Sequence, residues 1–162
     1  MNSTKKEMLA ILDKMKSIRV LVVGDIILDR YVWGRCERIS AEAPVPVVEV
    51  KKIEDRLGGA GNVVNNLNSL GVPVSLCGFV GDDDEGQAVL RILEGLKVQH
   101  DGVVVDRGRP TSLKTRVIAQ SQQVVRIDRE KKNISVPALR EAMAAVVDSQ
   151  IATSQALIVS DY

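Results

Sequence analysis

Aromatic side chains are almost absent. Tyr31, Trp33, Phe79 and Tyr162 are the whole set, 2% of 162 residues. The core must therefore be built from Val, Ile, Leu and Ala, a diet that suits strands buried on both faces. Ligands for metals are equally scarce. His100 has no second imidazole to join it, and Cys36 and Cys77 show no C-x-x-C spacing. Neither a zinc site nor a disulfide framework is expected, and both cysteines read as passive fillers. Charge of one sign is missing too: 22 Lys and Arg face 21 Asp and Glu, a net charge of +1. No overall field directs the chain to nucleic acid or an anionic membrane. No apolar run approaches the ~20 residues of a membrane span. Lys5, Lys6, Glu7, Asp13 and Lys14 interrupt any signal-peptide core. A reducing cytoplasm is the expected home, with neither nucleic acid nor membrane as partner.

What is present, 45% hydrophobic and 27% charged residues, is the balance of a globular domain. A chain of this length buries roughly 70% of its unfolded surface without staples. Met8, Ile11, Leu12 and Met15 recur at helical spacing. The run from Arg19 through Val23 to Gly24-Asp25 has the profile of a buried strand with a polar site at its C-terminal end. Val63, Val64, Leu67 and Leu70 mark a helix stopped by Gly71, and Val74 to Val80 is a second strand. A helix follows from about Asp84 to Leu96. Ser135-Val136-Pro137 caps another that runs through Val147, and Ala156 to Tyr162 carries a last buried strand. Alternation of this kind means α/β with a largely parallel sheet. Two segments, about 31–51 and 111–128, break the rhythm. Leu113, Thr115 and Val117 alternate with Ser112, Lys114 and Arg116, the pattern of a half-exposed antiparallel flap. Because a buried parallel strand needs a crossover helix to cover it, the stop after Asp161-Tyr162 is expected to interrupt a larger domain.

Gly58-Gly59-Ala60-Gly61-Asn62 stands directly before a helix. Glycines permit close backbone approach, and free N–H groups at a helix start attract hydroxyl or phosphate oxygens. Spacing alone leaves this open against a plain turn with a cap. No Lys-Ser or Lys-Thr follows, which removes a P-loop. Val64 stands where a dinucleotide fingerprint needs its third glycine, and the charged Lys51 to Arg56 reads as something other than the strand that fingerprint requires. Asp25 and Asp29 offer carboxylates to sugar hydroxyls, against the alternative of a strand-ending Asx turn. Asp82-Asp83-Asp84 reads as a solvated loop and helix cap. Arg107, Arg109, Lys114 and Arg116 read either as a phosphate-receiving set or as a solvated hairpin face.

Taken together these elements resemble the PfkB-type, ribokinase-like sugar kinases. Gly58, Gly59, Asn62, Gly71 and Gly81 match the spacing of that family's first signature, and Val64 departs from it. Val22-Val23-Gly24-Asp25, Asp29-Arg30-Tyr31, the stretch from Arg38 to Val47 and Ser160-Asp161-Tyr162 resemble more closely the bacterial heptose-7-phosphate kinases of lipopolysaccharide core synthesis. The resemblance implies that residues 1–162 are the N-terminal half of a ribokinase-like kinase domain. The whole enzyme is expected to use ATP and Mg²⁺ to phosphorylate a heptose 7-phosphate at O1. The family's second signature, Asp-Thr-x-Gly-Ala-Gly-Asp, which supplies the anion hole and the catalytic base, does not occur here. No catalytic residue is therefore assigned, no metal ligand or bound cofactor is expected, and the chain alone is expected to be inactive. By resemblance the sugar is held by Asp25, Asp29, Gly58, Gly59, Asn62 and Asp161, and its phosphate by Lys114 and Arg116. The family also pairs flaps into a homodimer, here through Val45 to Val50 and the Leu113 to Ile127 hairpin. Two other readings stay open: a non-catalytic module that self-associates through the flap, and a small dinucleotide-binding protein, against which the glycine spacing counts.

Overall fold

The computed structural model describes residues 3–131 and 136–162. Two four-stranded sheets share one chain. β1 (Val20–Gly24), β4 (Val74–Gly81), β5 (Gln99–Asp106) and β8 (Ala156–Ser160) form a fully parallel sheet in the order β5-β4-β1-β8. β2 (Ile26–Ile39), β3 (Pro46–Gly59), β6 (Ser112–Ala119) and β7 (Gln122–Arg129) form the second, in the order β3-β2-β6-β7. Its central β2–β6 pair is parallel and its outer pairs are antiparallel.

β1 shows why the aliphatic diet works. Val20 and Val22 face one side of the sheet, packed with Val64 of α2 (Ala60–Ser69) and Val89 and Leu93 of α3 (Asp84–Gly95). Leu21 faces the other side, against Cys77 and Met143 of α4 (Pro137–Ile151). Both faces are thus covered, as a parallel sheet requires. Burial pushes the Cys77 thiol up in pKa, in keeping with a filler. β8 sits at the sheet edge, with Val159 69% exposed.

The lid sheet is rooted in this core. Ile26, Leu28 and Leu57 are buried at its base, whereas Ile39 at its far end is exposed. The strands around the expected 31–51 segment run further inward on both sides, starting at Ile26 and ending at Gly59. Lys51 to Arg56, expected not to be a strand, lies inside β3. Its charges need no burial there, because Lys52 and Arg56 both pair with Glu54 along the strand, each at 2.6 Å. Asp29 likewise lies within β2 and not in a turn. β6 and β7 meet in a two-residue turn at Gln120 and Ser121, both at positive φ, which matches the twist of the flanking strands.

Two further expectations change. α1 (Ser3–Met15) is a helix, but Met8 and Ile11 are 63% and 59% exposed. Only its last turn reaches the core, through Met15. The expected cap Ser135 lies outside the described residues; Val136 takes the cap position of α4, and Pro137 stands in its first turn. β5 has no counterpart among the sequence expectations.

Candidate functional site

The C-terminal edge of the parallel sheet is where an open α/β fold presents ligand-binding groups, and here the lid sheet springs from that edge. Only Asp25 separates β1 from β2. Its amide donates to the Ser160 carbonyl at 3.0 Å, and its own carbonyl accepts from the Ala60 amide at 2.9 Å. Its carboxylate Oδ2 accepts from the Tyr162 amide at 3.1 Å. One aspartate therefore ties together the sheet, the start of α2 and the last residues of the chain.

The glycines before α2 are dictated by this crowding. Gly59 has φ of 54°, and a Cβ there would run into the Asp25 carbonyl oxygen. A Cβ on Gly58 would stand 2.5 Å from Asp29 Oδ2. The Gly-Gly pair thus lets the backbone press against both aspartates. Asp29 is held from the lid side by Arg116, whose Nη1 lies 3.0 Å from Oδ1. The same guanidinium sits over the Tyr31 ring, 5.6 Å from its centroid, and Arg56 sits 4.9 Å from that centroid. Lys114 lies over the Tyr162 ring.

A cavity of about 250 Å³ opens between sheet edge and lid, lined by Asp25, Ile27, Arg109, Ser112, Glu130, Lys131, Asp161 and Tyr162. A neighbouring one of about 280 Å³ shares Asp25, Arg109 and Asp161 and extends past Phe79 to Met143. Of the residues singled out from sequence, Asp25, Arg109 and Asp161 line both cavities. Gly58, Gly59, Asp29 and Arg116 form the packed layer beside them. Asn62 is exposed in the first turn of α2 and lines neither cavity. Arg109, which the sequence places either in a phosphate-receiving set or on a solvated hairpin face, precedes the hairpin and is 8% exposed, against the solvated reading. Lys131, Glu130 and Ser112 were not singled out, since nothing in their spacing marks them; the closure of the lid over the sheet brings them in.

The lid is clamped to the body by charge. Arg30 of β2 makes a two-pronged bond to Asp55 at 2.8 and 2.9 Å and reaches Glu85 of α3 at 3.1 Å. Arg129, at the end of β7, meets Glu85 at 2.6 Å and Asp83 at 3.4 Å. Asp83 caps α3 through the Gly86 amide at 2.9 Å, so the expected cap within the acidic run is in place. It also accepts from the Thr111 amide at 2.9 Å and hydroxyl at 2.6 Å, at the root of β6. Among the described residues no group of three or more His, Cys, Asp or Glu side chains gathers to hold a metal, and no helix is long and apolar enough to cross a membrane.

A parallel sheet flanked by helices, with a β lid standing over its C-terminal edge, is the ribokinase-like α/β architecture. Solved structures agree. A putative ribokinase from Agrobacterium tumefaciens superposes with a TM-score of 0.62 at 22% identity, covering 88% of this chain and 44% of that one. The acarbose kinase Mak1 superposes at 0.64 and 22% identity, covering 88% and 45%. The chain belongs to the pfkB family of carbohydrate kinases, whose family model matches residues 17–161. It is 49% identical over 144 residues to the bifunctional protein HldE of Helicobacter acinonychis, covering 89% of this chain and 31% of that protein. It is 46% identical over 158 residues to HldE of Citrifermentans bemidjiense, covering 98% and 32%. The chain thus spans about a third of the length of these relatives.

Proposed function

We propose that this chain is the acceptor-holding part of an ATP-dependent carbohydrate kinase that phosphorylates a heptose 7-phosphate at O1. The observation that carries the reading is the lock between Asp25 and the Gly58-Gly59-Ala60 turn, set beside Asp161 beneath a β lid. Asp25 and Asp161 accept hydrogen bonds from sugar hydroxyls, each carboxylate offering lone pairs in a fixed plane. Asp29, fixed by Arg116, and Asn62 extend that set along the lid root and α2, with the Gly58-Gly59 backbone as its floor. The string that would cradle the transferring phosphoryl group does not occur in the sequence. The contribution of this chain is to bind and orient the acceptor and to exclude water with the lid.

The test couples ADP release to addition of heptose 7-phosphate, comparing this chain with a version extended through an Asp-Thr-x-Gly-Ala-Gly-Asp segment. The extended protein is expected to turn over and this chain to give no rate above background. Loss of a single oxyanion donor costs about 10²–10³ in rate, and the segment expected to supply such donors does not occur in this sequence. Equal turnover by both would overturn the division of labour. Absence of turnover by the extended protein with heptose 7-phosphate, but activity on another sugar, would overturn the substrate.

The lid also supports self-association. Ile53, Val32, Val117 and Val125 are register partners across all four lid strands and so share one face. Ile53 and Val125 are 59% and 46% exposed, and Ile127 beside them 57%. An apolar stripe across a small sheet with open edges seeks a partner, and a second lid matches its chemistry. Sedimentation is expected to show a dimer that Ile53→Asp combined with Val125→Asp converts to monomer. A parent chain monomeric at high concentration would contradict this.

A further inference from the structure

We propose that Arg109, seconded by Lys131, is the anchor for the phosphate of the acceptor sugar, a role distinct from that of the lid cations. This rests on the sugar-kinase reading above and names the group that selects a phosphorylated acceptor over a neutral one.

Arg109 is 8% exposed, lines both cavities at the sheet edge, and its buried Nε has no hydrogen-bond partner. Among the described residues neither Arg109 nor Lys131 enters an ion pair, although Arg30, Lys51, Lys52, Arg56, Arg116, Arg126 and Arg129 of the lid strands do. A buried guanidinium with an unfilled donor is costly unless an anion completes it. Lys131 stands next to it: its Nζ donates to the Gly108 carbonyl at 2.9 Å, the residue before Arg109. An ammonium has three donors, so that bond leaves others for the cavity that Lys131 also lines.

The mount is rigid. Two residues beyond Arg109, Thr111 is fully buried and fixed by Asp83 through its amide and hydroxyl, while its hydroxyl oxygen accepts from the Gly81 amide at 2.8 Å. A cation held in place before the ligand arrives loses little entropy on binding. The lid cations are differently employed. Arg116 is neutralised by Asp29, and Lys114 lies over the Tyr162 ring and pairs in register with Asp128. Asp25 and Asp161 occupy the same cavity as the two unpaired cations. One ligand that carries hydroxyls at one end and a phosphomonoester at the other satisfies both.

The test is a set of NMR titrations of this chain with heptose 7-phosphate, free heptose and ATP. The parent chain is expected to prefer heptose 7-phosphate to free heptose, and Arg109→Gln to weaken the phosphorylated sugar roughly 10–100-fold, as loss of a charge-assisted bond implies. Its affinity for free heptose should change by less than about 3-fold, and Arg109→Lys should restore part of the preference. Arg107→Gln, removing an arginine that is 87% exposed and paired with Asp82, serves as the charge control and should leave the preference intact. Should Arg109→Gln fail to fold, the exposed Lys131→Gln still reads the site, with an expected loss of about 3–10-fold for the phosphorylated sugar alone. Retention of the preference in the folded Arg109 and Lys131 variants, with loss in Lys114→Gln or Arg116→Gln, overturns the assignment and leaves the kinase reading standing. Arg109-dependent binding of ATP with no preference between the sugars assigns the cation to the phosphoryl donor and overturns it too. A parent chain that binds neither sugar overturns both.

Discussion

Gly59→Val is expected to lower stability by about 3–5 kcal/mol and to remove sugar binding altogether. A β-branched residue at positive φ costs on the order of 1–3 kcal/mol by itself. The overlap of its Cβ with the Asp25 carbonyl adds a similar amount. The carbonyl relieves that overlap only by moving, which breaks its bond from the Ala60 amide and turns the Asp25 carboxylate away from the cavity. A melting temperature lower by ~6–20 °C would follow for a chain of this size. Calorimetry reads the first effect and NMR titration with heptose 7-phosphate the second. A folded Gly59→Val chain that binds sugar like its parent would contradict the proposed role of this turn.

Asp83→Ala is expected to release the root of the lid. One carboxylate caps α3, fixes Thr111 through two bonds and meets Arg129. Charged hydrogen bonds of this kind are not additive, and their joint loss is worth about 3 kcal/mol, or ~6–12 °C in melting temperature. Acidity gives the same interaction a second signature. Burial pushes the Asp83 carboxyl up, but the Thr111 hydroxyl, the Thr111 and Gly86 amides and the Arg129 charge outweigh it and hold the group below its ordinary value. Glu85 is held low too, first by its hydrogen bond from Arg129, against the opposing effect of burial. Groups depressed in the folded state take up protons first in the unfolded chain. Their contribution is complete above the ordinary carboxylate range near pH 4 and fades as pH falls through the lower folded values. The parent should lose melting temperature steeply below about pH 4, whereas Asp83→Ala should show a flatter acid limb. Parallel curves for the two would count against the clamp.

The parallel sheet was legible because burial on both faces leaves runs free of charged residues, as in the aliphatic Val20 to Val23 and in Val74 to Val80. The lid was legible only in part. β6 alternates cleanly, but Lys51 to Arg56 reads as too charged for a strand, because Lys52 and Arg56 are satisfied along the strand by Glu54 and not by burial. The site divides in the same way. Asp25 and the glycines before α2 carry a local signal, a strand end and a turn that need those residue types. Arg109 was legible only as one of four cations, to be read as a phosphate-receiving set or as a solvated face. Its burial comes from contacts distant in sequence, as lid, sheet edge and the segment before β6 close around one space.

The central claim is that one cavity at the C-terminal edge of the parallel sheet holds the sugar acceptor. Amide chemical-shift mapping of this chain during titration with heptose 7-phosphate tests it most directly. The shifts are expected to cluster at Asp25, Gly58 to Asn62, Arg109, Ser112 and Asp161. Shifts confined to the opposite end of the sheet, around Lys97 to Gln99, or no shifts at saturating sugar, would contradict it.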